Sequence, residues 1–255
     1  MHSALYPSLK DRPVVISGGA SGIGEALVRR FAAQGARVGF VDIADEAGRA
    51  LEAELSRAGQ TARFIACDVT DIEAYRHAIE NFAGRHGDAR VLINNAAHDQ
   101  RHDWAEVTPE YWDERMAVNL KHAFFAIQAV APGMVRQGGG SIINFGSISW
   151  MVLTPSIPLY ETAKAAVHGL TRAMARELGR SAIRVNSLVP GAVITQRQLD
   201  LWLSPQSMRE IETSQALSGH VTPEDCASMA LFLAADDSAM ISGQHFLVDG
   251  GWANS

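Results

Sequence analysis

Tyr160 and Lys164 stand one helical turn apart in the run Tyr-Glu-Thr-Ala-Lys, and Ser147 closes the strand-like run Ser-Ile-Ile-Asn-Phe-Gly-Ser just upstream. These three side chains could take a proton from an alcohol. A phenol ordinarily titrates at about 10 and is a poor base at neutral pH, so a fixed positive charge nearby is needed to favour the phenolate. The i, i+4 spacing sets the Lys164 ammonium on the same helix face as the phenol, and the Ser147 hydroxyl can bond the same substrate oxygen. By itself the pattern equally describes a solvated surface pair and a turn serine. The elements that would hold the three residues therefore decide its meaning.

Those elements alternate. Apolar runs at 13–17, 37–42, 62–67, 91–94, 141–145, 183–188 and 244–248 read as buried strands. Between them, amphipathic runs at 25–34, 44–58, after Asp71, from about Pro109, 120–135, 160–178 and 223–235 read as helices. Strands alternating with helices predict an α/β fold, a single Rossmann-like domain over 1–255 with a doubly wound, seven-stranded parallel sheet and helices on both faces. Asp71 has the type and place of an N-cap. The helix at 120–135 carries no charge through Ala123-Phe-Phe-Ala-Ile-Gln-Ala-Val, which predicts burial in the fold or against another subunit. One long non-periodic stretch, 192–219, reads as a substrate lid.

Directly after the first strand comes Ser17-Gly-Gly-Ala-Ser-Gly-Ile-Gly24, opening a helix. Strand, glycine turn and helix N-terminus together place backbone N–H groups and the helix dipole against a pyrophosphate. Gly18 permits the tight turn, Gly22 lets the backbone approach phosphate, and Gly24 lets helix and strand pack closely. Asp42 ends the second strand, where a carboxylate can accept hydrogen bonds from an adenosine ribose. The same carboxylate would repel a 2′-phosphate, and Ala20, Ser21 and Ile43 offer it no cation, so the expected cofactor is NAD rather than NADP. Asp68 and Val69, after the third strand, are placed near the adenine.

Composition narrows the classes further. The chain has 255 residues, 47% apolar and 20% charged, with a net charge of −6, which predicts a globular protein and argues against a nucleic-acid surface. Two cysteines, Cys67 and Cys226, do not make a disulfide framework. The N-terminal residues lack the pattern of a secretion signal and no apolar run is long enough to span a bilayer, so the expected location is cytoplasmic and no membrane partner is expected. His98 and His102 lack a carboxylate or Cys partner at ligand spacing, so no metal site is expected.

Taken in order, these residues resemble the short-chain dehydrogenase/reductase family over essentially the whole chain. The matching pieces are the glycine turn, Asp68-Val69, Asn94-Asn95-Ala96-Ala97, Asn119 in Val-Asn-Leu, Ser147, Tyr160 with Lys164, Pro190-Gly191 followed by Thr195, and Val248-Asp249-Gly250-Gly251. The resemblance implies a catalytic tetrad of Asn119, Ser147, Tyr160 and Lys164. In it Tyr is the acid/base, Ser positions the substrate oxygen, Lys lowers the Tyr pKa and binds the nicotinamide ribose, and Asn holds a water linking Lys to solvent. It also implies cofactor contacts from Ser17, Gly18, Ser21, Gly22, Ile23, Gly24, Asp42, Ile43, Asp68, Val69, Asn95, Ala96, Ala97, Tyr160, Lys164, Pro190, Gly191, Val193 and Thr195. A homotetramer is implied as well, through the helix at 120–135, the Tyr160 helix and the last strand. Two positions depart from the family pattern: Ser17 stands for the usual Thr, and Ala97 for the glycine that ends Asn-Asn-Ala-Gly.

Longer runs are similar to the bacterial NAD-dependent aldose 1-dehydrogenases, those of the D-xylose dehydrogenase type. They include Tyr6-Pro-Ser-Leu-Lys10, Asp42-Ile-Ala-Asp-Glu46, Asp99-Gln-Arg-His102, Tyr111-Trp-Asp-Glu-Arg115, Ala129-Val-Ala-Pro-Gly-Met134 and Asn144-Phe-Gly-Ser-Ile-Ser-Trp150. That likeness implies oxidation of the anomeric hydroxyl of a pentose or similar sugar to a lactone. The local chemistry agrees, since a sugar needs several donors and acceptors and often an aromatic face. His98, Asp99, Gln100, Arg101 and His102 follow the fourth strand, Ser149, Trp150 and Met151 follow the fifth, and Gln196, Arg197 and Gln198 open the lid; His98, Asp99, Arg101, His102, Ser149, Trp150, Met151, Gln196 and Arg197, together with Ser147 and Tyr160, are the candidate substrate contacts. A sugar acid such as a 2-keto-3-deoxy acid is the alternative substrate, with Arg101, His102 or Arg197 pairing its carboxylate. A catalytically idle NAD-sensing protein on the same fold is the alternative from another class.

Overall fold

The computed structural model describes residues 4–253. The outermost residues of the single unit expected over 1–255, and the start of the N-terminal segment read above, lie outside the described residues. Seven strands form one sheet in the order β3-β2-β1-β4-β5-β6-β7, and every neighbouring pair is parallel. They are β1 (Pro13–Ser17), β2 (Arg37–Asp42), β3 (Ala62–Ala66), β4 (Val91–Asn94), β5 (Gly140–Phe145), β6 (Ile183–Pro190) and β7 (His245–Val248). The chain reverses its direction of travel across the sheet between β1 and β4. At such a switch point the loops beyond the two carboxyl ends part and leave a crevice.

Strand alternation assigns the two faces. Val14 and Ile16 of β1, with Val91 and Ile93 of β4, join a core with α1 (Gly22–Ala33) and α2 (Asp45–Arg57). Val15 and Leu92 point the other way, into a core with α3 (Ile72–His86). Further helices are α4 (Pro109–Met116), α5 (His122–Arg136), α6 (Ser149–Val152), α7 (Pro158–Leu178), α8 (Gln196–Leu201), α9 (Pro205–Ser214) and α10 (Pro223–Ala234). Cys226 and Leu231 of α10 complete the first core; Ile127, Val130 and Met134 of α5 complete the second, with Leu170 and Met174 of α7 packed on it. Asp71 caps α3 as expected, its carboxylate accepting the Ala74 N–H at 3.0 Å. Cys67 and Cys226 are free thiols.

Three local features differ from the sequence reading. α1 begins at Gly22 rather than Glu25, so the glycine turn feeds straight into the helix. α4 and α5 are joined by a π-helical turn, Ala117–Lys121, with Asn119 buried in it; a turn of this kind commonly marks a functional site. The stretch 192–219 is not irregular, because it folds into α8 and α9. Thr195 caps α8 through the Gln198 N–H, and Ser204 with Ser207 makes a reciprocal capping box on α9, with Pro205 at its first turn. Capping holds these helices where propensity and periodicity are too short to announce them.

Candidate active site

A cavity of about 1120 Å³ opens at the carboxyl ends of the strands and runs from Asp42 at one end to Ser147, Tyr160 and Lys164 at the other. The glycine turn forms its floor. Gly18 and Gly22 have φ of +67° and +54°, and a Cβ on Gly18 would lie 2.9 Å from the Ala96 Cα. A Cβ on Gly24 would fall 1.7 Å from the Gly18 carbonyl, so only glycine allows the turn to close. Ser21, before α1, makes no side-chain cap, which leaves first-turn N–H groups free for an anion. Asn95 ties this floor to β4 by donating to the Ser17 and Gly18 carbonyls at 3.0 and 2.9 Å.

At the far end of that turn the Asp42 carboxylate accepts the Ala20 N–H through Oδ2 and the Ala44 N–H through Oδ1, both at 3.0 Å. Its position is therefore fixed. Ile43, Cys67, Asp68, Val69 and Thr70 continue the lining there, and the basic side chains lining the cavity, Arg101, Arg115, Lys164 and Arg197, come from other segments. The cradle, the free amide groups and the carboxylate fit a nicotinamide dinucleotide.

Chemistry concentrates where β4, β5 and α7 meet. Lys164 is 3% exposed and donates from Nζ to the Phe145 carbonyl at 2.7 Å, with Nζ 5.5 Å from the Tyr160 ring centre. Burial pulls its ammonium down to about 8, and Asp99 opposes that. Tyr160 is pushed above the ordinary phenol value, by burial and then by the negative charge of Asp99, while Ser147 and Arg197 pull it back. The expectation that Lys164 holds this phenol low is not met by the protein's own groups. The phenol is too deeply desolvated, and the ammonium spends a donor on Phe145. His122 donates from Nε2 to the Ala96 carbonyl at 3.1 Å and is held neutral, down to about 4, by burial and by Lys164. Lys164 is thus a cation beside neutral groups.

Of the other expected contacts, Ser21, Ile23, Asn95, Ala96, Ala97, Pro190, Gly191, Val193 and Thr195 line the cofactor end, and His98, Asp99, Arg101, Ser149, Gln196 and Arg197 the catalytic end. Five do not line it. Ser17 is fully buried and its hydroxyl accepts the Asn95 and Ala96 N–H groups at 3.1 Å, stitching β1 to β4 instead of facing the cavity. Trp150 is turned away by α6 and packs edge-on against His168, with ring centres 5.1 Å apart; Met151 follows on the same short helix, outside the lining. His102 bonds the Gln100 carbonyl and packs on Tyr111, facing a separate outer hollow with Trp104 and Glu161. Asn119 lies behind the lining rather than in it: its amide accepts the His98 N–H at 2.8 Å and donates to the His98 and Arg115 carbonyls.

Asp99 and Arg197, expected as separate substrate contacts, are bonded to each other at 2.5 Å, and Gln198 donates to the other Asp99 oxygen at 2.8 Å. Burial alone would raise the Asp99 carboxyl, but the donors from Gln198 and Arg197 hold it below its usual range. Gln198 lines the cavity as expected of the segment's opening residues, and two further lining residues, Trp202 and Arg115, went unpredicted. Gln198 sits on α8, Trp202 follows it with the Arg101 guanidinium 4.7 Å from its ring centre, and Arg115 is a buried arginine on α4. Of the two unpredicted residues, only the tryptophan within the non-periodic stretch 192–219 gave a visible signal. Among the described residues no group of three or more His, Cys, Asp or Glu could hold a metal ion, and no helix is long and apolar enough to cross a membrane.

A parallel seven-stranded sheet in this order, with a glycine cradle at its switch point and a Ser-Tyr-Lys constellation beyond it, defines a Rossmann-like oxidoreductase. A family model described as enoyl-(acyl carrier protein) reductase matches residues 18–253, and the chain belongs to the short-chain dehydrogenase/reductase family. It is an oxidoreductase acting on a CH–OH group. The D-xylose 1-dehydrogenase of Caulobacter vibrioides is 50% identical over 252 residues, covering 99% of this chain and 100% of the relative. A probable galactose dehydrogenase of Rhizobium meliloti is 48% identical, covering 98% of each chain. Among solved structures, a 7 alpha-hydroxysteroid dehydrogenase complexed with NADH and 7-oxo glycochenodeoxycholic acid superposes with a TM-score of 0.93 at 27% identity, covering 100% of this chain and 99% of that one.

Proposed function

We propose that this protein oxidises the anomeric C1 hydroxyl of a neutral aldose, a pentose such as D-xylose or L-arabinose or a 6-deoxyhexose, to the lactone with reduction of NAD. The observation that carries the reading is the full-length identity to a D-xylose 1-dehydrogenase, supported by the polar rim of His98, Asp99, Gln198 and Arg197 beside the Tyr160 phenol. A hydroxyl-rich ligand suits that rim better than an acyl chain does. When bound, the oxidised dinucleotide supplies a hydride acceptor and a fixed positive charge. Gly18, Ser21, Gly22 and Ile23 would hold its phosphates, Asp42 its adenosine ribose and Lys164 its nicotinamide ribose. Ser147 orients the anomeric oxygen, and Tyr160 as phenolate takes its proton as C1 gives up hydride. Asn119 acts through the loop it grips, and a water at its turn would link Lys164 to solvent.

The test is NADH formation with neutral aldoses, the matching sugar acids and the C1-blocked methyl glycosides. Neutral aldoses should react and methyl glycosides should not. Equal rates with a methyl glycoside would place the oxidation elsewhere on the ring, and a preference for acids would move the assignment to a sugar-acid dehydrogenase. NAD preference rests on Asp42. Replacing it with Ser removes a charged acceptor for the ribose hydroxyls, so KM for NAD should rise about 10- to 100-fold, with the KM for NADP unchanged or lower. Parallel losses with both cofactors would show that Asp42 only shapes the turn. We also propose that residues 192–219 act as the substrate lid, with the Asp99–Arg197 pair as its latch, and that the protein is a cytoplasmic homotetramer. Phe124 and Val135 stand 43% and 49% exposed on α5, and β7 is a half-buried edge strand, which supports self-association through the faces expected above.

A further inference from the structure

His98 follows β4 and is gripped from three sides by one segment. Its backbone N–H donates to Asn119 Oδ1 at 2.8 Å, its carbonyl accepts from Asn119 Nδ2 at 3.2 Å, and its ring Nδ1 lies 2.5 Å from Arg115 Nη1. Arg115 and Asn119 are four residues apart, on α4 and the π turn, so both reach the same loop. A guanidinium has donors and no acceptor. The His98 Nδ1 must therefore accept, and in the neutral ring the single proton sits on Nε2. No described group bonds Nε2, while the residue lines the catalytic end of the cavity.

Arg115 is itself fixed. Its side chain is 9% exposed, pairs with the Glu114 carboxylate and has its guanidinium 5.2 Å from the Tyr111 ring centre. The charged groups acting on His98 are Arg115 and Arg197, which oppose protonation, and Asp99 and Glu114, which favour it. Asp99 is already spent on Arg197 and Gln198. Burial, then the two arginines, hold the imidazole below its ordinary value. Beside Tyr160 the cavity thus holds a neutral, immobilised N–H donor whose sign does not change where a free histidine would titrate.

We propose that Arg115 is a positioning residue that locks His98 in the Nε2–H tautomer, and that this donor selects the substrate by binding a ring hydroxyl oxygen away from the reacting carbon. The second half rests on the aldose reading; the first does not. A buried donor left unmatched disfavours an analogue lacking the hydroxyl, which is how a small pocket separates sugars differing at one carbon.

The tautomer is read directly by proton–nitrogen correlation of the full-length protein labelled at histidine nitrogen, with His98→Gln assigning its signals. At neutral pH His98 should show an unprotonated Nδ1 and a protonated Nε2. A protonated Nδ1, or an averaged pair of nitrogens, overturns the assignment. Arg115→Met should move the titration of the ring upward, though burial and Arg197 still hold it down, let the two nitrogens exchange the proton, and raise KM for the aldose about tenfold with kcat and the KM for NAD little changed. Arg115→Lys, which keeps a donor towards Nδ1, should recover much of that loss. A fall in kcat equal to the KM effect, or no recovery with Lys, would make Arg115 a purely structural residue. With deoxy analogues of the preferred aldose, one should lose about tenfold in kcat/KM on the wild type and nothing further on His98→Leu. Additive losses for every analogue would overturn the selecting role. If no aldose is oxidised while the tautomer is as stated, the functional reading fails and the Arg115–His98 assignment stands.

Discussion

Tyr160→Phe should lower turnover about 10³- to 10⁴-fold, the upper range for loss of a general acid–base group, while NAD binds within about twofold of the wild type. The phenol is the titratable hydroxyl that Ser147 and Lys164 share at the closed end of the cavity, and removing its oxygen leaves the ring to hold the same space. Its protonation sets the direction of the pH dependence. Burial and Asp99 push this phenol up, so the base form is scarce at neutral pH and activity should climb as pH rises, up to the point where Lys164 loses its proton. A bound oxidised dinucleotide would add a positive charge that opposes the Asp99 carboxylate and would shift the climb to lower pH. Cofactor binding is read by quenching of protein fluorescence and turnover by absorbance of the reduced dinucleotide. Turnover within tenfold of wild type in the Phe variant would remove Tyr160 from the reaction.

The sheet and the cradle were legible because their physics is local. Val14, Val15 and Ile16 form a run apolar on both faces, as a strand buried in a parallel sheet must be, and Gly18, Gly22 and Gly24 occur where only glycine fits. Ser147, Tyr160 and Lys164 were legible through their spacing on α7 and at the end of β5, whereas Asn119, in the π turn, came only through the family resemblance. What escaped depends on direction in space. Trp150 lies in α6 and Trp202 just follows α8, yet one is turned onto His168 and the other lines the cavity; a four-residue helix closed by Leu153, with φ of +57°, gives no periodicity from which to tell. Arg115 lies in a polar helix, where an arginine ordinarily points to solvent, and its burial follows from His98, seventeen residues earlier. Helices α8 and α9 were hidden because two capping serines and a threonine hold their short turns. The Asp99–Arg197 pair was hidden because each residue, read alone, suits a sugar equally well.

Lys164→Met should cost about 10²- to 10³-fold in kcat, the scale of removing one preorganised electrostatic contact from a dry site. The side chain donates to the Phe145 carbonyl at the end of β5 and places a positive charge 5.5 Å from the Tyr160 ring centre, and on the proposed function it would also hold the nicotinamide ribose, a third role. Met fills similar volume and removes all three, so KM for NAD should rise together with the fall in kcat. The ionisation of this lysine also separates activity from stability. Its folded value is about 8, below its value of about 10.4 in an unfolded chain. Between those limits the unfolded state holds a proton that the folded state has released, so this group's contribution favours folding increasingly as pH rises through that window. Activity needs the proton and should fall over the same range. Wild-type kcat/KM should therefore turn down above about pH 8 while the urea midpoint gains this contribution, and in Lys164→Met both the downturn and the gain should vanish. A downturn unchanged in the Met variant would assign the alkaline limb to another group, and full activity in that variant would mean that the ammonium does not act on Tyr160.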